Sequence, residues 1–246
     1  MEETFSIGKV AELLDIPTAT IRFWEDSGLF TINKKKNRYR SYTPRDLVRI
    51  ADVISLRNSG IPVKQIGHLH QCSMEEYRQE LQQLEVRLDE KRKQYEKMYI
   101  RTRQQQARVQ QVLRLQQQAF QPEEVPFQKI GPFDYLEKEK LLQYSEDPSV
   151  YVRYFDTRDM STETRCIIVP PESTEDRLCW EKKSGGVFLT FLIRERVEKN
   201  YQSDVLESLA LVQKRHRTGV LLAQYLFTAV EEGQLTDFLK GYVEIV

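Results

Sequence analysis

Between Ser73 and Phe120 the apolar residues recur every 3.5 positions, and almost everything between them is Gln, Glu, Lys or Arg. Leu81, Leu84, Leu88, Tyr95, Met98, Val109, Val112 and Ala119 fall on that seam, while Lys91, Thr102, Gln105 and Gln116 interrupt it. Ser73 can cap such a helix and Glu76 can reach back to it; neither Gly nor Pro follows before Pro122. The spacing predicts one helix roughly 70 Å long at 1.5 Å per residue. A helix so polar has too little apolar surface to bury itself, so pairing with a second copy is expected. A lone solvated linker helix is the alternative.

The periodicity on either side is different. Ile7, Val10, Ala11 and Leu14 form one helical stripe with Ser6 as cap, broken at Asp15-Ile16-Pro17. A second short helix opens at Thr18, turns Ile21 inward and stops at Gly28. Two short helices joined by a tight turn are a helix-turn-helix candidate, with Thr18, Ala19 and Thr20 toward base edges. Arg22 suits a phosphate, and Phe23 or Trp24 suits the sugar-phosphate wall or core packing. The stretch from Lys34 to Tyr42 then carries five Lys or Arg and no acid. Its Lys36, Arg38, Tyr39, Arg40 and Tyr42 read as a wing gripping phosphates, although basic loops are often merely solvated. Thr43-Pro44-Arg45-Asp46 starts a third helix with Leu47, Ile50, Ala51 and Ile54 inward, and a fourth begins near Lys64, a further DNA candidate.

After Pro122 and Pro126 the pattern changes to short runs of branched and aromatic residues. Strands are expected at 150–155, 166–169, 186–192, 220–228 and 241–246, with Glu231-Glu232-Gly233 as a turn. A helix capped by Ser203 should face Val205, Leu206, Leu209 and Val212 inward. The chain thus reads as α+β in three parts: a winged helix-turn-helix at 1–72, a coiled-coil helix at 73–121, and an α+β domain with an antiparallel sheet at 122–246.

The formal net charge of zero conceals a division. Residues 1–70 carry 11 Lys+Arg against 8 Asp+Glu, residues 71–121 carry 10 against 7, and residues 122–246 carry 16 against 22. A basic front suits an anionic polymer; the acidic tail suits neither DNA nor an anionic membrane. No secretory leader or membrane-spanning run is read, and three scattered cysteines (Cys72, Cys166, Cys179) point to a reducing cytoplasm.

The stretches IGKVAELLDIPTATIRFWEDSGLF and NRYRSYTPRDLVRIADVISLRNSGIPVKQI, followed by the long helix, resemble the MerR family of bacterial transcription regulators over about residues 5–120. The resemblance implies a winged helix-turn-helix and an antiparallel coiled coil joining two subunits. It also implies two half-sites on double-stranded promoter DNA, and effector-driven distortion of the spacer that realigns promoter elements for RNA polymerase. One departure is Trp24, where the family often has tyrosine; an indole lacks the hydroxyl that would meet a phosphate.

Metal sensors of this family carry paired cysteines at the ends of the dimer helix, whereas Cys72 stands alone there. His68, His70 and Cys72 lie within five residues and could share a soft ion, which makes a metal-responsive regulator one alternative. The tail is similar, in element order and length, to the GyrI-like effector domains of multidrug regulators. That resemblance implies a lipophilic aromatic effector, with Tyr151, Tyr154, Trp180, Phe188, Phe191, Tyr225 and Phe227 as candidate walls. The strand after the tail helix reads Ala223-Gln224-Tyr225-Leu226, without the glutamate that would meet a cation, so Glu195 is the substitute candidate unless Arg194 and Arg196 leave it solvated. A small-molecule hydrolase is a further alternative, but no motif fixes a catalytic pair. No catalytic residue, cofactor or metal site is assigned.

Overall fold

Ser6 caps α1 (Ile7–Leu14) by accepting from the Lys9 amide, and Asp15 closes it in the left-handed region at φ 51°. Helix α2 (Thr18–Asp26) turns Ile21 and Trp24 inward. Helix α3 (Pro44–Asn58) opens on a reciprocal cap between Thr43 and Asp46, with Pro44 in its first turn. Its fully buried residues are Ile50 and Val53. Ala51, expected inside, is exposed: the stripe runs through 50, 53 and 54, so Val53 takes the inward place. Helix α4 (Val63–Leu69) adds Ile66 and Leu69 to the same core. A two-residue bridge between Phe5 and Tyr42 ties the start of the chain to the segment preceding α3.

The computed structural model describes residues 3–32, 40–173 and 177–246. It divides into two compact units, Met1–Lys97 and Met98–Val246. Helix α5 (Met74–Gln117) is 44 residues long and contributes to both. Glu76 accepts from both the amide and the hydroxyl of Ser73 at 2.7 Å, and the Glu76 amide donates back to Ser73 Oγ, which is the expected cap. Leu81, Leu88, Tyr95, Met98 and Val109 of the seam are exposed on this chain. Leu84 instead packs on the core of the first unit, and Val112 is buried among residues of the second. Ala119 lies beyond the last helical residue. The far end of the helix is therefore committed to its own tail, which a strictly 3.5-residue reading of the sequence missed.

Within the second unit the described residues form one antiparallel sheet. Its strands and helices are β1 (Gln121–Pro122), β2 (Lys129–Pro132), α6 (Lys138–Glu146), β3 (Tyr151–Asp156), β4 (Asp159–Val169), β5 (Trp180–Glu181), β6 (Val187–Arg196), β7 (Gln202–Ser203), α7 (Val205–Gln213), β8 (Thr218–Glu231) and β9 (Gln234–Ile245). The order is β1-β6-β9-β8-β3-β4-β2-β5, with β7 beside β6. One plan occurs twice: β2-α6-β3-β4 and β6-α7-β8-β9 are each a strand, a helix and a hairpin. The two halves meet at the antiparallel β3–β8 pair. The β8–β9 hairpin turns at Glu232 and Gly233, both at positive φ, as a two-residue turn requires.

Strand alternation sorts the side chains onto two faces. Leu189, Phe191, Ile193, Leu221, Leu239 and Val243 face α7, with Leu209 and Val212 packed on them. Leu206 of that helix, expected inside, is exposed. The other face carries Leu192, Leu226 and Phe238 against Val112 and Leu115 of α5. Beside them lie Val152, Cys166, Phe188, Leu222 and Tyr242.

Candidate functional sites

On the first unit the outward positions of α2 are Ala19, Arg22, Phe23 and, at its end, Asp26, which share one helical face; Thr18 and Thr20 are half-buried. Trp24 is 6% exposed and Tyr42 fully buried, both in the core, so their rings hold the head together instead of meeting a groove. Burial pushes the Tyr42 phenol above its ordinary value. Arg40 donates from Nε to Glu25 on α2 at 2.6 Å, and that bond raises its already high pKa. Its charge is thus partly answered within the head. Lys64 is exposed on α4. Lys36, Arg38 and Tyr39 lie outside the described residues. Near the helix junction, the Cys72 thiol is turned to the Leu69 carbonyl at 3.4 Å, and His68 and His70 are exposed. Among the described residues no three His, Cys, Asp or Glu side chains gather as a metal site.

The tail holds a cavity of about 570 Å3 on the sheet face that α6 overhangs. Tyr135, Tyr144, Tyr151, Tyr201 and Tyr225 line it together with Phe133, and both halves of the repeated plan contribute. The rings Phe133, Tyr144 and Tyr151 contact one another with centroids 5.8–6.2 Å apart. Three carboxylates and two guanidiniums share the lining: Glu163, Glu195, Asp237, Arg153 and Arg165.

Their pairing settles how the charge is distributed. Arg153, on β3, donates to Glu195 at 2.5 Å and to Glu163 at 3.3 Å. Arg165 meets Glu163 at 3.2 Å and lies over the Tyr135 ring at 5.7 Å. Asp237 accepts from the Thr228 hydroxyl at 2.5 Å, which in turn bonds the Tyr225 hydroxyl. Burial raises the Glu195 carboxyl above its ordinary value, and the neighbouring Arg153 only partly opposes this. Desolvation pulls Arg153 down, but Glu195 and Glu163 outweigh it, and the guanidinium stays charged. Burial also lifts the Tyr144, Tyr151 and Tyr225 phenols, so all three are neutral donors at neutral pH. The result is an aromatic cavity with a hydrogen-bonding floor.

Of the eight residues expected to bind a ligand, the structure brings Tyr151, Glu195 and Tyr225 to this cavity. Glu195 is 5% exposed and paired, not solvated between Arg194 and Arg196, because those neighbours point to the opposite face. The other five fail for related reasons. Tyr154 lies three positions from Tyr151, and Phe188 three from Phe191, so neither pair can share a face of a regular strand. Tyr154, Phe188 and Trp180 pack instead in the core on the far side. Phe191 faces the α7 side but is buried in the core there. Phe227 would share a face with Tyr225, but a register shift between them turns it toward α5, against Phe238. Phe133, Tyr135, Leu141, Tyr144, Tyr201, Arg153, Glu163, Arg165 and Asp237 were not anticipated. Period-two parity from Tyr151 would have found Arg153.

Among the described residues no helix is long and apolar enough to cross a membrane. No curated protein matches the chain. The solved structures similar to it include HiNmlR, described as a MerR family regulator lacking the sensor domain and bound to promoter DNA. It is 21% identical with a TM-score of 0.38, covering 46% of this chain and 96% of that one. A MerR family transcriptional regulator from Bacillus cereus is 15% identical with a TM-score of 0.40, covering 44% and 84%. Another from Bacillus thuringiensis is 24% identical with a TM-score of 0.33, covering 43% and 98%. The family model described as MerR HTH family regulatory protein matches residues 5–71, and that segment is a MerR-family helix-turn-helix domain.

Proposed function

We propose that this chain is a bacterial transcription regulator that binds promoter DNA through its head and a lipophilic aromatic small molecule through its tail. The observation that carries the ligand part is the cavity of about 570 Å3 walled by five tyrosines and Phe133. Such a cavity is large enough for one drug-sized aromatic molecule and offers stacking faces on several sides. The repeated strand-helix-hairpin plan supports reading the tail as a GyrI-like effector domain. The DNA part rests on the helix-turn-helix family match, with the exposed Ala19, Arg22 and Phe23 toward the duplex.

In this reading the chain acts as a homodimer through an antiparallel coiled coil. The exposed Leu81, Leu88, Tyr95, Met98 and Val109 support that pairing, since apolar side chains spaced along one side of a polar helix favour a partner. Ligand in the tail then alters the bound promoter for RNA polymerase, activating an efflux gene or the regulator's own gene. The three parts would be DNA reader (1–72), dimer helix (73–121) and effector domain (122–246). Full-length protein incubated with fragmented genomic DNA from its own source should retain a small set of promoters. Adding N-phenyl-1-naphthylamine, a neutral lipophilic aromatic fluorophore, should change their transcription in a purified system. Retention of all fragments equally, or transcription indifferent to every aromatic compound that binds, would contradict the proposal.

A further inference from the structure

Helix α6 supplies one wall of the cavity through Leu141 and Tyr144. It ends at Glu146, and Asp147 is its C-terminal cap. Asp147 Oδ1 accepts from the Ser149 amide at 2.9 Å and from the Ser149 hydroxyl at 2.6 Å, which starts the 3-10 turn Pro148–Val150. That turn leads directly into Tyr151 and Arg153 on the cavity floor. The Ser149 carbonyl is held in turn by Gln224 of β8 at 2.9 Å. One carboxylate oxygen therefore fixes the junction between the cavity's wall and its floor.

The same oxygen accepts from Arg108 Nη2 on α5 at 2.5 Å. The Arg108 side chain is 11% exposed, so this is a largely desolvated, charge-assisted bond, of the kind that is costly to break. Arg101, one heptad earlier, approaches Glu146 at 3.8 Å. Val112 and Leu115 follow Arg108 at four and seven positions, on the same face of α5. They dock on Leu192, Leu226 and Phe238, none of which touches the cavity. Within the second unit α5 is thus held at two separate places. The one at Val112 and Leu115, reinforced by Arg114 on Glu123 at 2.6 Å and Gln116 on Glu231 at 3.3 Å, rests on the sheet face away from the cavity; the one at Arg108 grips the end of the cavity wall.

We infer that Arg108 is a positioning residue that transmits occupancy of the tyrosine-lined cavity to α5 through Asp147. A molecule held beneath Tyr144 and Leu141 shifts α6 over the sheet and steadies it there. Asp147 then moves with the helix it caps, and Arg108, bonded to it, follows. The apolar attachment at Val112 and Leu115 has no such link and serves as the fixed point. This inference rests on the proposed ligand cavity, and its test separates the two.

The test is hydrogen exchange by mass spectrometry on the full chain, with and without N-phenyl-1-naphthylamine, following peptides from α6 (138–147) and α5 (101–117). In the wild type the fluorophore should slow exchange in both. In Arg108→Gln it should still bind and still slow α6, while the effect on α5 is lost; Arg108→Lys should restore part of it. A purely structural role for Arg108 would change exchange in α5 without abolishing its response to the fluorophore, and that result overturns the inference. Slowing of α5 that is equal in all variants also overturns it. If the wild-type α6 does not respond although the fluorophore binds elsewhere, the cavity reading fails first and the inference falls with it.

Discussion

The two faces of the tail sheet use the same strands and bury charge on both sides, yet they are completed by different side chains. On the α5 side, Lys240 is completely buried, bonded to Glu123 at 2.5 Å and seated over the Tyr242 ring. Burial lowers its pKa, and Glu123 opposes that shift. Arg114 of α5 bonds the same glutamate at 2.6 Å. Around them Leu192, Leu226, Phe238 and Trp180 close the core. On the cavity side, Arg153 answers Glu195 and Glu163, but five tyrosines, with Phe133, Leu141 and Leu239, complete the lining and they do not fill it. Charge burial on one face closes a joint; on the other it furnishes a floor. Substitutions on the first face should therefore register as stability, and on the second as binding.

The largest effect is expected at Glu123. Glu123→Ala leaves Lys240 charged and unpartnered in the core, which should cost about 3 kcal/mol in denaturant unfolding. A loss below about 1 kcal/mol would mean that water or another carboxylate reaches Lys240. Next, Leu226→Ala should cost about 2–4 kcal/mol by opening a void against α5. Leu141→Ala on the half-open cavity wall should cost less than about 1 kcal/mol. Equal losses would erase the distinction between the faces. Lys240→Met removes a buried charge while Glu123 keeps Arg114, so its stability should stay within about 1 kcal/mol of the wild type or exceed it.

The smallest effect is a slope. The folded-state pKa of Glu195 is raised, so the folded chain holds that proton more tightly than the unfolded chain does. Its contribution to stability is fully present below the ordinary carboxyl value of 4.5 and falls as pH rises through the raised value. Stability of the wild type relative to Glu195→Gln should therefore decline as pH rises from that value. An increase over the same range would mean that Arg153 outweighs desolvation.

The same contrast explains what was legible in the sequence. The head is legible almost element by element, because its signals are local: the caps at Ser6 and Thr43, the break at Asp15, and stripes three and four residues apart. The tail's long strands are legible in part: 166–169 marks only the end of β4 (Asp159–Val169), and 241–246 only the second half of β9 (Gln234–Ile245). Helix α6 and β2 were missed: the helix has no fully buried residue, and the strand has only four residues, two of them Gly and Pro. With them went the repeated plan and half of the cavity. Aromatic character, which marks the candidate ligand residues, does not distinguish the two faces of a strand. Strand parity was available and would have separated Tyr151 from Tyr154. The shift that turns Phe227 away from Tyr225 has no local sequence mark, since it arises from how β8 pairs with β9. Val112 was placed on the dimer seam by its period, yet it is drawn onto the tail by the apolar surface of Leu192, Leu226 and Phe238.

The central claim is that the tyrosine-lined face binds the ligand and the α5 face does not. It is tested most directly by fluorescence titration of full-length protein with N-phenyl-1-naphthylamine. Wild type and Trp180→Ala should bind with equal affinity, whereas Tyr144→Ala, which removes one stacking ring, should bind about tenfold more weakly. Weakened binding in Trp180→Ala with Tyr144→Ala unchanged would place the ligand on the other face and contradict the account.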